Sequence, residues 1–242
     1  MSTFFIRQGT DAVENASELL DLIINQLQDK SKTLADEYSL LGKGFQDTVQ
    51  PWALVFCKDI ESIERMFKQK LDEENAESQA EQRRWLDLIR ICRVETTHQL
   101  RAVLCGIHIE PSREEESIDI LRWMYEHKDG QPPSMVIVID LFGIMLSNQS
   151  NNEHSETLRY LTIDFNELSH ILLNLVETST FLSKRGHKIW QNATMEPVVM
   201  ETQLIITDRG RIPHEENVEE TNQVNFIKKL YHILTYFIEN II

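Results

Sequence analysis

Asp140 closes the apolar run Met135-Val-Ile-Val-Ile-Asp140. A carboxylate at the end of a buried-type strand is where a phosphoryl-transfer site holds Mg²⁺. That chemistry also needs a phosphate loop, G-x-x-x-x-G-K-[ST], whose glycines let backbone N–H groups approach the phosphates while the Lys meets their charge. The chain has only eight Gly. The nearest approach is Gly42-Lys43-Gly44, where Glu37 stands in place of the first glycine and Gly44 in place of the Ser or Thr. No apolar strand precedes it. Asp140 therefore has no phosphate-binding partner in the sequence, and a polar residue at a strand's carboxyl end is ordinary in α/β proteins. The expectation is a scaffold or binding protein, not an enzyme.

Other reactive residues offer less. Cys92, His98, Cys105 and His108 could be counted as four zinc ligands, but Cys92 falls within an apolar run and Cys105 on an apolar helical stripe. Buried free Cys is a common core residue, so a core role is expected for both. G-x-S-x-G is absent, and none of the eight His stands beside a recognisable nucleophile. The acidic runs Glu114-Glu115-Glu116, Glu215-Glu216 and Glu219-Glu220 read as solvated faces. Basic residues gather twice: Lys184, Arg185, His187 and Lys188, then Arg209 and Arg211 about Gly210. If both groups lay in loops at the carboxyl edge of a sheet, where ligands of α/β folds bind, they could approach a DNA backbone. Ordinary surface charge is the simpler account of either group.

The totals bound the class. An apolar fraction of 41% over 242 residues supports a folded core. A net charge of −15 opposes strong unaided binding to nucleic acid or anionic membrane. Three cysteines, an odd and small number, argue against a disulfide framework and for a reducing compartment. The first residues carry no apolar stretch of signal-peptide length, and no uncharged apolar run is long enough to span a membrane.

The elements that must position these residues follow from periodicity. Residues 11–28 predict a helix, capped by Asp11 with Glu14 and carrying Leu19, Leu20, Ile23, Ile24 and Leu27 at helical spacing. Residues 29–50 are polar, contain Gly42 and Gly44, and read as a connector. Trp52–Cys57, Leu88–Cys92 and Met135–Asp140 are continuous apolar runs, the mark of strands buried on both faces. Asp59 is placed to cap a helix bearing Ile60, Ile63, Met66, Phe67 and Leu71; residues 72–84 follow as a charged insert. Thr96 and Gln99 form a capping box for a helix bearing Leu100, Val103, Leu104 and Ile107. Ser112 starts another, carrying Leu121, Trp123 and Met124. A long helix after the polar loop 147–152 is expected to run to Lys184 and close at Arg185-Gly186. His187–Trp190 and Val198–Thr207 read as strands, and 224–241 as a helix apolar on more than one face. Trp123 and Trp190 are candidate interface anchors. The alternation predicts an α/β fold, a mostly parallel sheet flanked by helices, with residues 1–50 an N-terminal helix and connector and 51–242 the α/β domain.

Three stretches carry a resemblance: Trp52–Ile60, Ile91–Leu104, and Ser134–Ser150 with the helix beyond it. Their order resembles RecA-like recombinase paralogues lacking a P-loop, and most nearly the small divergent subunits of the Shu complex. The resemblance implies a RecA-like domain with a degenerate ATPase core, Asp140 standing as a degenerate Walker B residue, and no cofactor. It implies a nuclear, non-catalytic subunit that pairs with another RecA-like paralogue, as a heterodimer or within a larger complex. Together they would bind DNA and promote recombinase filament assembly in homologous recombination and error-free DNA damage tolerance, with no membrane partner. The DNA-binding positions it implies are Arg209 and Arg211, with Lys184, Arg185 and Lys188. Other RecA-like scaffolds, such as Elongator-type subunits, share the same apolar patterns, and an α/β enzyme of unrecognised chemistry is the remaining alternative.

Overall fold

The computed structural model describes residues 2–8, 12–40, 50–72, 83–109, 119–128, 130–146, 162–191, 201–208 and 221–242. The three continuous apolar runs become neighbouring strands: β2 (Ala53–Cys57), β3 (Ile89–Arg93) and β4 (Met135–Val138). Met135, Val136, Ile137 and Val138 are fully enclosed, and burying such a side chain stabilises by about 1.5–3 kcal/mol. A run of this kind is placed with both faces covered, which is what a central parallel strand requires.

Three further strands complete a six-stranded sheet of order β3-β2-β4-β5-β1-β6. They are β1 (Thr3–Arg7), β5 (Gln203–Asp208) and β6 (Asn240–Ile241). Every described pairing is parallel, with registers such as Val55↔Ile91, Val55↔Ile137, Ile137↔Ile205 and Phe5↔Ile206. Parallel neighbours need crossovers, and the helices supply them. These are α1 (Ala12–Leu40), α2 (Ile60–Asp72), α3 (Thr97–His108), α4 (Asp119–Lys128), the short α5 (Leu141–Met145), α6 (Phe165–Gln191) and α7 (Thr221–Phe237). α1 packs on α2, while α3 packs on α6 and α6 on α7. The predicted α/β class, with a parallel sheet flanked by helices, is what is observed.

Several boundaries differ from the sequence expectation. Residues 29–40 are helix, not connector: Leu34 lies two turns beyond Leu27, and both are buried. Thr3–Arg7 is a strand between β5 and β6, so residues before 50 contribute to the same sheet. α6 does not close at Arg185-Gly186, and 187–190 is not a strand. The helix continues to Gln191, since one interior glycine costs only about 1 kcal/mol. The last helix ends at Phe237 and the chain adds β6. Cys105 is exposed, outside the apolar stripe of α3, whereas Cys57 is buried and Cys92 half-buried. The Asp11 cap and residues 41–49 lie outside the described residues.

Lys30 joins α1 to the amino edge of the sheet. Its Nζ donates to the carbonyls of Ser134 (2.8 Å) and Glu201 (3.2 Å), which precede β4 and β5. Burial drives its pKa down from the ordinary 10.5 to about 8, partly offset by the Glu201 carboxylate. The folded state therefore releases this proton at lower pH than the unfolded chain, and stability rises with pH between about 8 and 10.5. Lys30→Met removes that rise. Chemical denaturation across this range should show wild type gaining about 2–3 kcal/mol on the variant; parallel curves would refute the assignment.

Candidate functional site

The connections leaving the carboxyl ends of the strands decide what this edge can bind. β1 reaches α1 through residues 8–11, β2 reaches α2 through 58–59, β3 reaches α3 through 94–96, and β4 reaches α5 through 139–140. Each is shorter than the phosphate-loop motif itself. The connection from β5 to α7, residues 209–220, contains a single glycine. The sequence excluded the motif, and the short turns leave no room for such a loop in these four positions.

Asp140 has become part of a turn. Its φ is 55°, a left-handed conformation that short polar residues tolerate best. Its Oδ1 accepts from the Gly143 N–H at 3.2 Å, which caps α5, and its own N–H donates to Thr207 Oγ1 at 3.2 Å. The carboxyl group lies over Gly143, where an added Cβ would fall within 2.8 Å of Oδ1 and closer still to Oδ2. Asp208 ends the adjacent strand, fully buried, with its carbonyl accepting from the Gln8 N–H. The Asp140 carboxylate is thus engaged in holding the strand-to-helix turn.

A crevice of about 610 Å³ opens at the carboxyl ends of β2 and β3, lined by Lys58, Asp59, Ile60, Glu61, Arg93, Glu95 and Thr96. Two helix N-termini face it, each already capped. Asp59 Oδ1 accepts from Ser62 N at 3.0 Å, and Thr96 Oγ1 accepts from Gln99 N at 3.2 Å. Gln99 completes its box by accepting from the Glu95 N–H at 2.7 Å. Arg93 pairs with Glu95 at 2.8 Å. Two cations against three carboxylates do not make a phosphate cradle. Lys58 and Arg93 were not singled out from the sequence, although each directly follows or ends an apolar run, the position that places a residue at this edge.

The two basic groups do not share one edge. Ser183 Oγ accepts from the Thr202 N–H at 2.8 Å, and Ser179 Oγ donates to the Thr202 carbonyl. Thr202 immediately precedes β5, so Lys184 and Arg185 lie at its amino end. Asp208, the residue before Arg209, lies at the carboxyl end, about 17 Å away along the strand. The separation follows from topology: α6 must return the chain from the carboxyl edge to the amino edge. Lys184 is exposed; Arg185 is half-buried and donates to Tyr125 Oη. Lys188 lies on the last turns of α6. Arg209, Arg211 and Trp190's side chain lie outside what is described.

Burial raises the pKa of the Cys92 thiol, the opposite of what a thiolate ligand needs. Among the described residues, no group of three or more His, Cys, Asp or Glu is placed to hold a metal ion. No described helix is long and apolar enough to cross a membrane.

No family model and no curated protein matches this chain. Among solved structures, it is similar to the RecA-like ATPase domain of a helicase, with a TM-score of 0.36 and 8% identity over 93% of this chain. The chain spans 66% of that domain's length. A likeness this distant carries no functional inference.

Proposed function

We propose that this chain is a non-catalytic, RecA-like subunit of a Shu-type recombination mediator. It pairs with a second RecA-like paralogue, binds DNA with it in the nucleus, and promotes recombinase filament assembly in homologous recombination and DNA repair. One observation supports the non-catalytic half of this reading above others. The strand-to-helix turns described here are too short for a phosphate loop, and the carboxylate in the Walker B position is spent on capping α5. The three apolar stretches that resemble recombinase paralogues support the other half.

The reconstituted pair should bind fork DNA, and Arg209→Ala with Arg211→Ala should weaken it at least about tenfold, since each lost phosphate contact costs on the order of 1 kcal/mol or more. Unaltered binding would remove these two positions from the interface. Co-purification with partners unrelated to recombination, or ATP turnover by the pure chain, would sink the reading as a whole.

A further inference from the structure

Cations and aromatic rings converge on the opposite, amino edge of the sheet, around α4. Trp123 packs edge-to-face on Trp52 at 5.0 Å, immediately before β2. The Arg90 guanidinium lies 5.4 Å and the Lys128 ammonium 5.7 Å from the centre of the Trp123 ring, and His127 stacks on it at 5.4 Å. Arg90 is in the first half of β3, and Lys128 ends α4. On the other flank of α4, Arg185 donates to Tyr125 Oη, and its guanidinium lies 5.4 Å from the ring centre. Bonded at the hydroxyl end, the guanidinium leaves Tyr125 49% exposed. Lys184, exposed on the same helix as Arg185, extends the basic surface. Strands β3, β2, β4 and β5 are consecutive in the sheet, so the surface spans about 15 Å.

We infer that the amino edge over α4 is a binding surface for single-stranded nucleic acid. Arg90, Lys128, Lys184 and Arg185 meet the phosphates, and a base stacks on Tyr125. This deepens the reading of the chain as a DNA-binding subunit and rests on it. In a chain of net charge −15, four cations gathered across one edge form a local exception. Nearby carboxylates temper it: Asp119 pairs with Arg122 at 3.9 Å, and Asp87 faces Lys128. A half-exposed ring flanked by a guanidinium distinguishes a strand with unstacked bases from an acidic protein partner, because bases stack on such rings and carboxylates do not.

The test is fluorescence anisotropy of a labelled oligothymidine with the full chain, alone and with its co-purified partner, at several salt concentrations. Arg90→Gln with Lys128→Gln, and Lys184→Gln with Arg185→Gln, should each weaken binding several-fold. The log–log salt slope should fall by about 0.7 for each cation removed. Tyr125→Ala should lose about fivefold or more and Tyr125→Phe should not. Lys58→Gln with Arg93→Gln, at the other edge, should leave binding unchanged. Circular dichroism melts confirm that each variant is folded.

Full binding by the amino-edge variants, with loss on changing Arg209 and Arg211, overturns this surface and leaves the proposed function standing. Equal loss of oligothymidine and heparin binding in the charge variants, with no effect of Tyr125→Ala, overturns it in favour of a general acidic partner. No binding by the chain or its complex overturns both.

Discussion

Trp52→Ala is expected to destabilise the fold by about 3–5 kcal/mol, more than any other substitution considered. Trp52 is fully enclosed; its Nε1 donates to the Gln131 carbonyl at 3.0 Å, and its own carbonyl accepts from Ser134 N and Oγ. The ring also supports Trp123 from below. Truncation leaves a cavity at the amino edge, an orphaned carbonyl, and a Trp123 free to shift with the cations about it. Trp52→Phe retains most of the apolar contact and loses the Nε1 bond, so it should cost about 1–3 kcal/mol less than the alanine variant. Urea denaturation of the three proteins ranks them. Indistinguishable midpoints for wild type and Trp52→Ala would mean that the side chain is not enclosed as described.

Gly143→Ala should cost about 1–3 kcal/mol, because the new methyl group enters the space of the Asp140 carboxyl group. Asp140 can rotate away only by giving up its bond to the Gly143 N–H. Asp140→Gly alone loses the cap but relieves the left-handed backbone, two effects of opposite sign and similar size. The double variant removes the obstructing group before the methyl arrives. It should therefore be more stable than the two single costs sum to, by at least about 1 kcal/mol. Additive costs in a denaturation cycle would show that the carboxylate does not lie over Gly143.

The central strands were legible because burial on both faces leaves an unbroken apolar run, and β2, β3 and β4 each carry one. β1 was not legible: only Thr3 and Phe5 are buried while Phe4, Ile6 and Arg7 are half-buried, and five residues give too short a pattern to distinguish from a loose terminus. β6, two residues long, has no period at all. The extension of α1 was written in the sequence more plainly, in Leu27 and Leu34 at two-turn spacing, but the polar residues between them masked it. Capping residues at Asp59 and Thr96 were readable because the cap is local chemistry. The edge on which Lys184 and Arg185 lie was not, since it depends on which way α6 runs relative to β5. Nor were Arg90 and Lys128 recognisable as neighbours: they lie on different elements and meet only through Trp123.

The placement of β1 has a bearing on how the protein is made. Its partners are β5 and β6, nearly 200 residues further along the chain. At about 5–20 residues per second, a ribosome takes on the order of 10–40 seconds to deliver β5 after β1. During that interval Phe4, Phe5 and Ile6 have nothing to pair with, while β2, β3 and β4 can already assemble among themselves. The nascent polypeptide must therefore be sheltered from aggregation through a long wait, and closure of the sheet is a late event in its synthesis.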